Sequence, residues 1–300
     1  MDSTVKSSPG VDGFEFIDAH IHVYDLGHPT LRYAWLERDF IHPVIGNIDA
    51  IKTYRYLVDN FTAETRFSGV VGAVHVQAAL GSTDPAQESE FVDDQLTADS
   101  LPVMLVGDAR MQSDDVEDTL ARHAAHANFR GIRDFAEGDY LVDPAFHRGY
   151  ALLEKYSMSY DLDATPETMT KARDLARKFP GVDLILDHAG FPQERTTDYF
   201  EFWTTGMKTM AEAPNTACKI SGLGMADPRW TVDSLRRWVL GCIEAFGVDR
   251  CMFATNWPVD RLFSSYGDLV EAYRTIVADF TADEQHHLFV GNARRWYRFP

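Results

Sequence analysis

The chain has 300 residues, 45% of them hydrophobic, and a formal net charge of −18 at pH 7. This composition supplies a sizeable core for one large domain, and the excess of acidic residues excludes nucleic acid and anionic membranes as partners. No apolar run reaches the roughly 18 residues of a membrane-spanning helix, and residues 1–13 contain no apolar core of a secretory signal. We therefore predict a disordered N-terminal arm over 1–13 and a folded domain over 14–300.

Cysteine usage indicates the compartment. Cys218, Cys242 and Cys251 form an odd, scattered set without a CxxC spacing. This set predicts neither a disulfide framework nor a zinc ribbon, and it is typical of a protein kept in a reducing cytoplasm.

Short apolar runs alternate with longer amphipathic segments along the chain. We predict strands at 14–23, 69–78, 101–110, 128–135, 157–164, 182–190, 215–223 and 249–257. Their spacing of about thirty residues is that of repeated βα units. Such repetition without a long linker predicts an α/β fold, a closed parallel (β/α)8 TIM barrel in a single domain. An open doubly wound sheet is the alternative, but no GxGxxG follows any strand.

The segments between the strands have helical periodicity. In 165–181, Thr165 can cap a helix, Pro166 suits its first turn, and apolar residues then recur every three or four positions. Near the C-terminus, Thr281 and Glu284 have the spacing of a capping box.

Polar side chains stand at the ends of nearly all the predicted strands. In a parallel barrel, catalytic groups gather at the C-terminal ends of the strands, so this pattern predicts an active site there. The residues concerned are His20, His22, Gln77, Arg110, Arg133, Asp163, His188, Lys219 or Ser221, and Asn256.

Histidines carry the strongest local signal. His20 and His22 are two apart on a predicted strand, so both imidazoles point to the same side, where they can bind a metal ion or an oxyanion. His188 follows a buried strand and precedes a Gly/Pro loop. The alternatives are histidines that only satisfy backbone groups or cap a loop. Asp187 alternates to the opposite face, and we expect it to contact a helix.

Four further residues are candidates for substrate binding: Gln77, Arg133, Asp163 and Trp35. The guanidinium of Arg133 suits a carboxylate or a lactone carbonyl, and the alternative is a salt bridge with Asp163. Gln77 and Lys219 can act as buried groups that orient others. Trp35 lies in the long loop after the first strand, where it can belong to a lid or anchor the packing.

In these residues and the motifs around them, the chain resembles the amidohydrolase superfamily, in its amidohydrolase-related, lactonase-like branch. The resemblance runs from Ile17 to Tyr297. It rests on the order and spacing of IDAHIHVYD, YAWL, RDF, VHVQA, FRGIR, LDHAGFP, CKISGL, MFATNWPVD and GNARRWY. Relatives in that branch hydrolyse lactones of sugar acids or of aromatic degradation products, some with one divalent metal ion and some with none.

The resemblance implies roles for individual residues. The first-strand pair that binds metal or carbonyl falls on His20 and His22, and the sixth-strand histidine falls on His188. The substrate-binding arginine falls on Arg133. The carbamylated lysine and the fifth-strand histidine of binuclear relatives are missing, so we expect at most one divalent ion, zinc or manganese, and a metal-free site is equally compatible with these residues.

One departure concerns the general base. The superfamily's eighth-strand aspartate falls on Asn256, whose amide has no useful basicity. Asp260 is the nearest carboxylate. The base can otherwise be His188, His75 or a metal-bound hydroxide.

These observations predict hydrolysis of a small cyclic ester. Water attacks a carbonyl polarised by a metal ion or by His20 and His22, and we expect an anionic small-molecule substrate. Two alternatives remain open: non-oxidative decarboxylation of an aromatic acid, and a barrel that binds or rearranges a small molecule without hydrolysis. A homo-oligomer is compatible with the sequence.

Overall fold

A computed structural model describes residues 13–300, and the predicted arm lies, except for Gly13, outside the described residues. Eight parallel strands follow one another in sequence order around a barrel. Between the first and last strands, Ile21 and Trp257 form a parallel bridge, and the amide N–H of His22 donates to the Trp257 carbonyl at 2.7 Å. The predicted (β/α)8 barrel is thereby confirmed. The strands are β1 Phe16–Ile21, β2 Val70–Val76, β3 Val103–Gly107, β4 Phe129–Ile132, β5 Ser159–Leu162, β6 Leu184–Leu186, β7 Thr216–Ile220 and β8 Cys251–Phe253.

Helices surround the strands, because each amphipathic segment buries its apolar stripe against the sheet. No helix in the described part of the chain is long and apolar enough to cross a membrane. The helices are α1 Val58–Thr65, α2 Ala86–Asp93, α3 Val116–His123, α4 Pro144–Lys155, α5 Met169–Lys178, α6 Thr197–Ala211, α7 Val232–Phe246, α8 Tyr266–Ile276, α9 Ala282–His286 and α10 Asn292–Trp296.

Two helix starts were predicted, and one is wrong. The segment 165–181 does contain a helix, but α5 begins only at Met169. The backbone N–H of Thr165 donates to Oγ1 of Thr168 at 3.2 Å, so the residues before Met169 form a turn instead of a first helical turn. The capping box of α9 is confirmed, since the N–H of Glu284 donates to Oγ1 of Thr281 at 3.3 Å, and Oε2 of Glu284 accepts from the Thr281 N–H at 2.9 Å.

The long connection between β1 and α1 lies over the barrel mouth. Its two ends pair as a short antiparallel ladder, Tyr24–Asp25 with Arg55–Tyr56. Between them, Trp35 donates from Nε1 to the carbonyl of Ala78 at 2.7 Å, which ties the connection to the end of β2.

Candidate active site

Three histidines converge at the C-terminal mouth of the barrel. His20 lies on β1, His22 just beyond it, and His188 follows β6. The ring centroid of His20 is 4.9 Å from that of His22 and 4.4 Å from that of His188. All three side chains are buried. The structure therefore brings together the three histidines that the sequence singles out.

Hydrogen bonds orient these rings. Nδ1 of His22 lies 2.9 Å from the carbonyl oxygen of Val76, which can only accept, so Nδ1 carries the proton and Nε2 keeps a lone pair. This Nε2 lies 3.3 Å from Nε2 of His20. Nδ1 of His188 lies 2.9 Å from Oγ of Ser221 at the end of β7. Partners in neighbouring strands thus fix the directions of the ring nitrogens.

The backbone at His188 is unusual. His188, Ala189 and Phe191 have φ of 51°, 55° and 44°, in the left-handed region that non-glycine residues rarely enter, and Gly190 between them has φ of 65°. Opposite them, Gly222 has φ of +61°, and a Cβ at Gly222 would lie 2.9 Å from Nδ1 of His188. Backbone strain of this kind concentrates at functional sites, and here it directs His188 into the barrel.

Beneath the histidines lies a buried charged network. Nζ of Lys219 on β7 lies 2.5 Å from Oδ2 of Asp161 and 3.1 Å from Oδ1 of Asp187. Oδ1 of Asp187 is also 3.3 Å from Nδ1 of His20. Tyr297 donates its hydroxyl to Oδ2 of Asp161 at 2.7 Å. The network connects β1, β5, β7 and the C-terminal segment directly under the candidate site.

The expected direction of Asp187 is wrong. Its contacts with His20 and Lys219 place it in the barrel interior and not against a helix. The reason is that β6 ends at Leu186, so the two-residue alternation of an extended strand no longer applies at Asp187. Asp161, Asp187 and Tyr297 lie in the site region, although they were not predicted there from the sequence. The DH dipeptide after an apolar run was the one local signal for Asp187, whereas no local signal marks Tyr297.

Arg133 follows β4 and faces two carboxylates. Nε and Nη2 lie 2.8 Å and 2.5 Å from Oδ2 of Asp163, and Nε lies 3.3 Å from Oδ2 of Asp187. The salt bridge with Asp163, considered as an alternative from sequence, is therefore present. Within residues 13–300 no hydrogen bond occupies Nη1 of Arg133, so one edge of the guanidinium stays available for a ligand.

Asn256 and Asp260 contact each other. Asn256, with φ of 57°, directs Nδ2 to Oδ2 of Asp260 at 2.9 Å and to Sδ of Met225 at 3.6 Å. Both amide hydrogens are thus engaged, and the group left to face a ligand is the amide oxygen, an acceptor. Burial raises the pKa of Asp260 to about 8. Asp260 is therefore held as a neutral acid at pH 7, with its carboxyl bonded to the Asn256 amide.

The structure separates the remaining candidates. His75 places Nε2 3.2 Å from Oε1 of Glu88 and accepts at Nδ1 from the N–H of Val23 at 3.2 Å, so both its nitrogens are engaged away from the histidine cluster. Gln77 is buried, and neither of its side-chain polar atoms has a partner within the described residues. Arg110 is exposed and donates to the Ser82 carbonyl at 2.5 Å.

Trp35 lies beside the cluster. Its ring centroid is 5.8 Å from that of His22. Because its Nε1–H is bonded to a backbone carbonyl, the indole is anchored beside His22, and it presents to a ligand only its apolar surface.

Burial determines the protonation of the cluster. It lowers the pKa of His20 and of His22 well below the ordinary value, and lowers that of His188 to about 4. Burial also raises the pKa of Asp187, but Lys219 and Arg133 outweigh that effect and hold the pKa below its usual range. At pH 7 the cluster therefore offers three neutral imidazoles and one carboxylate.

These groups fit a divalent metal ion. His20, Asp187 and His188 have ligand atoms within 4.8 Å of one another, and no other such group occurs in the described part of the chain. Two imidazoles and a carboxylate are ligands that zinc takes in catalytic sites. The group contains Asp187 in place of His22, which differs from the all-histidine set expected from sequence.

Fold and site together define a (β/α)8 barrel with a histidine–carboxylate cluster at its mouth. The sequence matches the amidohydrolase family over residues 17–299. It is 39% identical over 294 residues to the uncharacterized protein y4mH of Sinorhizobium fredii, an alignment that covers 94% of this chain and 98% of that protein. It is 29% identical over 241 residues to an L-fucono-1,5-lactonase of Burkholderia ambifaria, with 77% of this chain and 81% of the lactonase covered.

Solved structures share the fold. An amidohydrolase of Burkholderia multivorans with bound HEPES superposes with a TM-score of 0.82 at 23% identity, covering 96% of this chain and 100% of that chain. A second crystal form with bound zinc has a TM-score of 0.80 and the same coverage. A manganese-bound 5-carboxyvanillate decarboxylase of Novosphingobium aromaticivorans has a TM-score of 0.72 at 14% identity, with all of both chains covered. The chain belongs to the amidohydrolase family, and the resemblance to its lactonase-like members is confirmed.

Proposed function

We propose that the chain hydrolyses a lactone of a sugar acid at the histidine cluster. The observation that carries the proposal is the convergence of neutral His20, His22 and His188 at the barrel mouth, with the Asp187 carboxylate beside His20. Family membership and the relatives named L-fucono-1,5-lactonase, from two Burkholderia species, support an enzyme that cleaves ester bonds.

Side chains that the protein already holds in place bind the substrate. Nη1 of Arg133 donates to an oxygen of the lactone or of its carboxylate, while Nε and Nη2 stay on Asp163. The buried amide of Gln77 gains a partner when a ligand arrives, which offsets the cost of leaving it unpaired. The apolar face of Trp35 closes one side and excludes water.

The chemical step needs an attacking water and a place for its proton. The amide oxygen of Asn256 accepts a hydrogen bond from the water and orients it. Nε2 of His188 takes the proton as the water oxygen bonds to the carbonyl carbon. The proton then passes to the ring oxygen as the ester C–O bond breaks, and a hydroxy acid leaves. His20, Asp187 and His188 would hold a divalent ion, which would polarise the carbonyl and acidify the water; because Nδ1 of His188 is bonded to Ser221, its Nε2 would then be a ligand, so His188 takes the proton only in the metal-free site.

The proposal is tested by lactone hydrolysis followed through acid release. We expect His188→Gln to lower kcat/KM for the best sugar-acid lactone by about 100-fold or more, the range found for loss of a general base. His286→Gln is the matched control, because His286 is exposed on α9. Full activity in His188→Gln would refute the site. Tight lactone binding by the wild type without turnover would favour a binding protein instead.

A further inference from the structure

Lys219 occupies an unusual position for a lysine. It lies on β7 with its side chain fully buried, and its ammonium has three hydrogens and three acceptors. The acceptors are Oδ2 of Asp161 at 2.5 Å, Oδ1 of Asp187 at 3.1 Å and Nδ1 of His20 at 3.4 Å. Asp187 and His20 are two of the three residues of the candidate metal group. The ammonium therefore contacts two of the three residues that a divalent ion would need.

The two tautomers of His20 have different partners. If Nδ1 of His20 carries the proton, it donates to Oδ1 of Asp187 at 3.3 Å, and Nε2 has a free lone pair. If Lys219 donates to Nδ1, the proton resides on Nε2 and bonds to Nε2 of His22 at 3.3 Å. Because the Val76 carbonyl already fixes a lone pair on Nε2 of His22, the first tautomer leaves two lone pairs facing each other. Without a cation between them this contact is repulsive. In the second tautomer Nδ1 of His20 and Oδ1 of Asp187 are both acceptors, but the Lys219 ammonium lies 3.4 Å and 3.1 Å from them and can donate to both, so the second tautomer is favoured.

The position of the Lys219 charge also opposes binding of a divalent ion. Lys219 and Arg133 are the cations of the network, and Asp161, Asp163 and Asp187 are its carboxylates. The carboxylates exceed the cations by one, but Asp163 is paired with Arg133 and Asp161 with Lys219, and the Lys219 ammonium lies 3.1 Å from Asp187. A divalent ion at His20 and Asp187 would be close to that ammonium. In a buried site such like-charge repulsion is strong.

We propose that Lys219 is an internal cation that competes with a divalent metal ion for His20 and Asp187, and that it selects the Nε2–H tautomer of His20 when no ion is bound. Lys219 is thus a positioning residue that keeps metal affinity low and lets the histidines keep their arrangement without a metal ion. The proposal concerns the site and not the substrate, so it stands or fails separately from the lactonase activity.

Zinc affinity of the full-length chain tests the competition. The protein is stripped with a chelator and titrated with zinc chloride by calorimetry. We expect Lys219→Met to bind zinc about tenfold more tightly or better, because the variant removes a buried positive charge close to the ion. Lys219→Arg keeps the charge and should stay near the wild-type affinity. Lys208→Met, at an exposed lysine paired with Glu244, is the control for loss of one positive charge at the surface.

Zinc affinity of folded Lys219→Met that equals or falls below the wild-type affinity would overturn the proposal. A second measurement needs no change at Lys219. In metal-free wild type with ¹⁵N-labelled histidine, the ring nitrogen shifts of His20, assigned by comparison with His20→Gln, should show the proton on Nε2. A proton on Nδ1 of His20 would equally overturn the proposal, even if Lys219→Met does not fold.

Discussion

Asn256 places an amide where the family resemblance implies a carboxylate, and a hydrogen bond to Asp260 fixes the orientation of that amide. Asp260 accepts from Nδ2 at 2.9 Å, so the amide oxygen is the atom that can face a ligand. An oxygen acceptor in this place can orient a water molecule but cannot take its proton. In the proposed mechanism the proton therefore goes to a histidine, and Asp260 fixes the direction of the Asn256 amide oxygen.

Asn256→Asp tests this role. The new carboxyl would lie against Asp260, whose pKa is already raised to about 8 by burial, and the two would share a proton. We expect kcat/KM at pH 7 to fall about tenfold, a change of about 1.4 kcal/mol in transition-state free energy. Activity should then rise as the pH increases through about 8, because a group with a raised pKa gives up its proton only in that range. The measurement is a pH–rate profile from pH 6 to 10.

The double variant Asn256→Asp/Asp260→Asn is the matched control. It removes the competing carboxyl, so the alkaline rise should move to lower pH. If the single variant hydrolyses lactones faster than the wild type at pH 7, the natural chain is a barrel that has lost its hydrolytic activity. That result would support the alternative of a barrel that binds or rearranges a small molecule without hydrolysis.

At the scale of elements, the loops after β6 and β7 fit into each other. The left-handed run that begins at His188 passes close to Gly222, where a Cβ would lie 2.9 Å from Nδ1 of His188 and 2.6 Å from Cε of Met225. Glycine at this point is required both by its φ of +61° and by the room that the imidazole needs.

Gly222→Ala tests the fit of the two loops. We expect a loss of more than about 1 kcal/mol of unfolding free energy, since left-handed backbone alone costs about 1–2 kcal/mol for alanine. We also expect kcat/KM to fall on the order of 100-fold, because His188 must shift. Gly138→Ala is the control, because Gly138 also has a positive φ, +68°, but a Cβ there meets nothing within 4 Å. It should lose similar backbone energy and keep its activity. Wild-type kcat/KM in Gly222→Ala would contradict the account. Urea unfolding and lactone assays give both readouts.

Element positions were predictable where periodicity was strong. All eight barrel strands lie within the ranges expected from sequence, because each apolar run is long enough to be recognised and is bounded by polar or turn residues. The direction of Asp187 was not predictable, because the alternation rule holds only while the backbone is extended, and β6 ends one residue earlier. The start of α5 was misplaced because Thr165 bonds locally to Thr168, as short polar side chains do in turns.

At the scale of the whole molecule, the C-terminal segment supports the site from below. The segment from α9 to α10 packs against β1 and β8, and Tyr297, just after it, reaches Asp161. Residues 161 and 297 are 136 positions apart, so no local pattern in the sequence could connect them. The histidines of the candidate site were predictable because each lies at the end of a recognisable strand, whereas the partners that hold them come from across the fold.

Tyr297→Phe tests this support. It removes a hydrogen bond to a buried carboxylate, so we expect the free energy of unfolding to fall by about 1.5–3 kcal/mol. Tyr54→Phe is the control, because Tyr54 is exposed, with 66% of its surface accessible, and should change stability by less than about 0.5 kcal/mol. Urea unfolding curves of the three proteins measure the difference. Equal stability of wild type and Tyr297→Phe would show that the bond to Asp161 does not stabilise the fold.

The most direct test of the central claim is the fate of solvent oxygen. Wild-type protein is incubated with its best sugar-acid lactone in ¹⁸O-labelled water, and the product is analysed by mass spectrometry alongside the product of His188→Gln. Water attack on the carbonyl predicts one ¹⁸O atom in the carboxylate of the product, in excess of the spontaneous reaction, with the excess lost in His188→Gln. Two results would contradict the assignment as a lactone hydrolase. One is release of carbon dioxide from an aromatic acid, and the other is lactone hydrolysis in the presence of the wild type that is no faster than the spontaneous reaction.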